Sequence, residues 1–256
     1  MNALQQLLGE QIFVWLLVFM RVGSAFMVMP TIGDAFVPAR ARLLFSLVVS
    51  VLVAPVLAGQ LPPMPDQVFR LAVLLAGEIT VGLFLGTVAR LLMSALEVAG
   101  AVIGVQAGLA NAQVFNPALA SQGSLPGALM GWLGLLLIFI TNMHHLLILA
   151  VVDSYAMFVP GAPLPVDDMA NAIGQLVARS FLIGVQMSAP FLITGMLFAL
   201  ALGLLSKMAP QIQIFFLFNS LQVALGLLLF ALTLGAMMAF WLGHFESAFV
   251  EFLKPI

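Results

Sequence analysis

From Val98 to Val152 the chain runs 55 residues without one Asp, Glu, Lys or Arg. Three further charge-free runs, 43–65, 180–206 and 208–245, are 23, 27 and 38 residues long. A helix needs about 20 apolar residues to cross a bilayer, so each run is long enough to hold a span. A soluble domain of this size covers its surface with roughly 25% charged residues. Here charged residues are 7%, apolar ones 63%, and the mean hydropathy is +1.20. A soluble fold is excluded, and lipid or other polypeptide must cover most of the surface.

Pro-, Gly- and charge-bearing turns divide the apolar sequence into six predicted spans, near 12–29, 43–58, 69–93, 128–152, 175–205 and 213–243. Runs such as Leu133–Ile140 and Leu225–Leu234 do not alternate apolar with polar residues, which argues against a membrane barrel. The expectation is an all-α, polytopic integral membrane protein, one embedded domain over 1–256. The first twenty residues contain Glu10 and no basic stretch, so the N-terminal apolar run is expected to be a retained span rather than a cleaved leader. Arg40, Arg42 and Lys207 place their loops inside, and the acidic segment 153–172 outside.

Four charges interrupt the spans: Arg21, Glu78, Arg90 and Glu97. A charge in a lipid-facing position costs at least about 2.5 kcal/mol, so these are expected to make interhelical or subunit contacts. Arg90 and Glu97 share a helix face but lie about 10 Å apart along it, too far to pair with each other.

The central segment is polar without charge. Gly100, Gly104 and Gly108 form overlapping GxxxG patterns, which strip side chains from one helix face and let another backbone approach. Amides follow at Gln106, Asn111, Gln113 and Asn116, with Phe115 among them, before Pro117 and a Ser/Gly/Pro stretch to Gly127 that is expected to stop the helix. Irregular backbone at membrane depth must be buried in protein or line an aqueous passage. Neutral amides and an aromatic ring suit a seal against ion leak better than an ion filter. The 15 methionines would add adaptable packing around it.

Other chemistries find no residues. There is no cysteine, and no HExxH or phosphate-loop motif. The adjacent His144 and His145 diverge by about 100° on a helix, a poor arrangement for one metal. No catalytic residue, metal or cofactor is expected. A net charge of −2 without a Lys/Arg cluster gives no footprint for nucleic acid. Asn116-Pro117-Ala118 matches the tripeptide of aquaporin-type channels, but the second copy those channels carry is missing.

Three groups of residues together resemble the FliR-type export-gate family of type III secretion. They are Arg21-Val-Gly-Ser-Ala with Pro30 and Pro38; Glu97-Val-Ala-Gly100 leading to Gln106-Ala-Gly108-Leu and Phe115-Asn116-Pro117; and Lys207-Met208-Ala209-Pro210-Gln211. The resemblance spans nearly the whole chain. It implies helical hairpins around a central re-entrant or plug loop, with 106–117 closing a secretion channel and Met208, Ala209, Pro210 and Gln211 turning the last hairpin. It also implies FliP-like, FliQ-like and FlhB-like membrane subunits as partners, unfolded protein as cargo, and a place in the bacterial inner membrane at the flagellar basal body. An injectisome homologue is the alternative branch. A self-contained solute channel would instead show two interrupted segments in repeated halves, and the sequence shows one.

Overall fold

The computed structural model describes residues 2–110, 124–208 and 214–253, with the side chains of 9–110, 124–208 and 218–249. Those residues form α1 (Asn2–Val28), α2 (Ala39–Leu57), α3 (Val68–Gln106), α4 (Leu125–Ile140), α5 (Met143–Met157), α6 (Val166–Met208) and α7 (Ile214–Leu253), with one 3₁₀ turn at Ala58–Gln60 and no strand among them. The protein is all-α, and five of these helices are long and apolar enough to cross a membrane, or six if α4 and α5 count as one broken span.

Helix boundaries follow from local chemistry. Pro38, extended at φ −57°, ψ 138°, opens α2, and its carbonyl accepts the Arg42 N–H at 3.1 Å. Ser124 caps α4, its hydroxyl accepting the Gly127 N–H at 3.0 Å. The Leu125–Gly127 stretch, expected to belong to a helix stop, is thus the first turn of α4. Asp167 and Asp168 sit in the first turn of α6 and Lys207 in its last, where the helix dipole favours each sign.

Two predicted boundaries differ from the structure. The span placed at 69–93 belongs to a 39-residue helix that continues to Gln106, because apolar periodicity marks where lipid is tolerated and not where backbone hydrogen bonding ends. The stretch read as one span at 128–152 is broken at Thr141–Asn142, where Asn142 adopts a left-handed φ of 59°. With 39, 43 and 40 residues, α3, α6 and α7 are each about twice the length that one span requires.

The chain divides into two compact units. The first comprises Met1–Leu91, Phe139–Leu176 and Ala248–Ile256; the second comprises Leu92–Ile138 and Val177–Ser247. In the first, α1 and α3 lie backbone to backbone: a Cβ at Gly82 would strike the Arg21 carbonyl and Ser24 Oγ, and one at Gly86 would come within 2.6 Å of the Ala25 carbonyl. Phe13, Leu17 and Leu74 pack as an apolar cluster, and Phe84 meets Phe158 edge to face at 5.9 Å.

In the second unit, the 92–106 part of α3 is the central strut. Against it pack Gly134 of α4, facing Leu96 and Met93, and Gly184 of α6, where a Cβ would lie 2.9 Å from the Ala95 carbonyl. Trp241 of α7 is buried and donates its indole N–H to the Leu92 carbonyl at 3.0 Å. The outer faces of α6 and α7 stay apolar and exposed, as at Ile193, Met196, Leu200, Leu228 and Leu232. A contiguous apolar surface of this kind belongs against lipid or other subunits.

Candidate functional site

The predicted sealing segment begins where α3 ends, and that end is built without charge. Gln106 is the last helical residue, and Gly108 beyond it takes φ +73°, a conformation that glycine adopts freely and that stops the helix. The Gly108 N–H bonds the Val105 carbonyl at 3.1 Å, and the Ala110 N–H bonds the Gly104 carbonyl at 3.1 Å.

Two other helices of the second unit grip this end. A Cβ at Gly195 of α6 would occupy the position of the Gln106 side-chain oxygen, so the glycine leaves the room the amide uses. From α7, Gln222 Nε2 donates to the Gln106 carbonyl at 2.8 Å, and a Cβ at Gly226 would stand 2.9 Å from Ala107 Cα. A cavity of about 270 Å³ beside the joint is lined by Gln106, Gln222, Thr194, Phe198 and leucines of α7.

The three glycines read as one packing face do different things. Gly100 lies directly against the Gly127 backbone of α4, an approach that any side chain would prevent. Gly104 has ordinary contacts, the nearest with Ser124 Cβ at 3.4 Å. Gly108 is past the helix, and its role is the turn. Asn111, Gln113, Phe115, Asn116 and Pro117 lie outside the described residues, as do Ala209, Pro210 and Gln211; Met208 is the exposed last residue of α6.

The intramembrane charges distribute unevenly. Arg21 of α1 and Glu78 of α3, 1% and 2% exposed, form a two-pronged pair in the first unit: Nε to Oε2 at 2.7 Å and Nη2 to Oε1 at 2.9 Å. Nη2 also donates to the Phe158 carbonyl at 2.8 Å and Nη1 to Ser154 Oγ at 3.1 Å. The guanidinium carbon lies 3.7 Å over the Tyr155 ring. Three helices that are far apart in sequence therefore meet at one arginine, whose planar fork suits a carboxylate and several further acceptors. A cavity of about 720 Å³, walled by Pro62, Pro65, Phe69 and Leu164, reaches this pair.

Arg90 instead pairs with Asp34 at 2.6 Å and is half exposed. The Asp34 carboxylate also accepts the Thr31 N–H at 2.9 Å, and its backbone carbonyl takes a bond from Arg42 at 3.0 Å, so this one residue organises the α1–α2 loop through side chain and backbone. Glu97 is exposed on α3. Sequence reasoning passed over Asp34, Gln222 and the Gly82–Gly86 pair. Signals existed for the last two: Gly82 and Gly86 have the same spacing as Gly100 and Gly104, and Gln222 is an amide inside an apolar run, three residues after Asn219.

Comparison with known proteins adds the lineage. The family model described as Bacterial export proteins, family 1 matches residues 12–248. The chain is 39% identical to the flagellar biosynthetic protein FliR of Caulobacter vibrioides, covering 93% of this chain and 94% of that one. It is 30% identical to FliR of Escherichia coli, covering 88% and 87%. It is 29% identical to the Yop proteins translocation protein T of Yersinia pestis, covering 98% and 95%. A multi-pass helical membrane chain matched along almost its whole length in this way belongs to the bacterial export proteins, family 1, the FliR-type family of type III protein export.

Proposed function

We propose that this chain acts as a single embedded subunit of the flagellar export gate, in the bacterial inner membrane at the basal body. It works there with FliP-like, FliQ-like and FlhB-like subunits and passes unfolded flagellar proteins while segment 106–117 closes the channel to ions. The observation that carries this reading is the seating of the α3 end. Gln106 and Gly108 are held between α6 and α7 by neutral amides and glycines, and the uncharged segment 109–123 begins from that fixed point. A closure of this composition offers an ion no charged group to replace its water shell.

The exposed apolar faces of α6 and α7 suit lipid or neighbouring subunits, and nothing in the reading requires the chain to catalyse a reaction. The 39% identity to a flagellar relative supports the flagellar branch, while the match to the Yersinia translocation protein favours a second reading, an injectisome gate.

Three experiments test this. Replacing Asn111 and Phe115 with Gly should raise ion conductance in cells carrying the chain; unchanged conductance argues against the seal. Gentle extraction with native mass spectrometry should recover FliP-like and FliQ-like subunits, and homogeneous self-assembly would instead favour a solute channel. Restored motility or restored injectisome secretion in a strain lacking its own homologue separates the two branches.

A further inference from the structure

A helix end leaves its last four carbonyls without intrahelical partners, and at membrane depth each must find one. At the end of α3, backbone groups serve three of the last carbonyls: Ile103 accepts from Ala107 at 2.8 Å, Gly104 from Ala110 and Val105 from Gly108, both at 3.1 Å. The fourth, Gln106, is served among the described residues by a side chain 116 positions away, Gln222 Nε2. Gln222 also flanks the turn itself, with its Cδ 3.4 Å from where a Cβ would stand on Gly108, beside Asn219 and Val223 of the same helix face.

We propose that Gln222 is a positioning residue of the gate: its hydrogen bond from α7 latches the root of the sealing segment, and releasing it loosens closure. This rests on the reading of 106–117 as the closing segment and adds the element that controls it. Two observations support a latch over mere packing. One end of the bond is the helix-terminal carbonyl, so breaking it uncouples the turn from α7 and leaves the body of α3 intact. The cavity of about 270 Å³ alongside gives the amide room to turn away. Gly226, one turn further along α7, lets the helices come close enough for the amide to reach.

The test compares two replacements in cells whose own copy of the chain is exchanged for the variant. Gln222→Met keeps the length and removes the donor. Gln222→His presents an Nε2–H at similar reach, and the adjoining cavity admits the ring. Ion leak, read from membrane depolarisation, should rise on the order of tenfold with Gln222→Met, the effect of losing one buried hydrogen bond, and stay near wild type with Gln222→His. Membrane levels of both variants are measured in parallel, because a purely structural role lowers both levels and leaves leak per molecule unchanged.

Gly226→Ala, which pushes α7 off Ala107 while keeping Gln222, should also leak, and it stands in if Gln222→Met fails to accumulate. Gly235→Ala on the same helix, where a Cβ meets open space, should not. Equal leak from the Met and His variants overturns the latch. If Phe115→Gly leaks and Gln222→Met and Gly226→Ala do not, the latch falls and the seal stands; if none leaks, both fall.

Discussion

The two units anchor their helices with opposite polar chemistry. In the first, a buried arginine collects a carboxylate, a hydroxyl, a backbone carbonyl and an aromatic face from helices far apart in sequence. In the second, no charged side chain is buried among the described residues; contact is made by glycines at near backbone distance, an indole N–H and one amide. Both bring helices together, and Gly82 and Gly86 show that close approach is common to the two. The difference lies in what failure does. A charge pair left half-made strands an ion in apolar surroundings, whereas a neutral hydrogen bond can exchange for water at modest cost. The charged unit is therefore suited to staying put, and the neutral unit to a joint that opens and recloses.

The strongest challenge to that contrast is Arg21→Met. It leaves Glu78 buried and unpaired, and about 3–5 kcal/mol should be lost, seen as a large fall in detergent melting temperature and membrane level. Adding Glu78→Gln should recover much of it; a double variant as poor as the single would mean that shape and not charge holds this unit. In the second unit, Gly100→Ala forces a methyl onto the Gly127 backbone and should cost about 1–3 kcal/mol in the same melting assay. No effect there would show that α4 can slide.

Trp241→Phe keeps an aromatic ring and loses the bond to Leu92. The Leu92 carbonyl keeps its partner within α3, so the expected cost is that of one neutral hydrogen bond, about 0.5–1.5 kcal/mol, below that of Arg21→Met. Smallest is Arg90→Ala, which breaks a half-exposed pair with Asp34 and should change stability by under about 1 kcal/mol, less still in high salt. A larger loss would mean that the charge network of the first unit extends into the α1–α2 loop.

Much of the fold was legible because lipid imposes a coarse rule on composition. The spans near 12–29, 43–58, 175–205 and 213–243 all fall on helices, and Arg21 and Glu78 stood out as charges in need of partners. The identity of those partners was not legible: Ser154 and Phe158 are 133 and 137 residues from Arg21, and neither has any sequence mark of its own. The break at Asn142 was hidden for a related reason: the short polar run Thr141-Asn142-Met143-His144-His145 is outweighed in hydropathy by the apolar residues on both sides, while a left-handed residue ends a helix. Gln106 was singled out for its place in an amide-rich segment, but Gln222, close after Asn219 and Ser220 in an apolar helix, acquires meaning from the carbonyl it faces.

By itself, then, the order of residues determined that this polypeptide is helical, lives in a bilayer, and carries a conspicuous uncharged segment after α3. Hydrophobicity and charge are local properties that a linear string displays in full. Which arginine meets which carboxylate, which glycine admits a backbone and which amide completes the end of α3 were decided by tertiary structure, because hydrogen bonds and contacts act over a few ångströms between residues the sequence holds far apart.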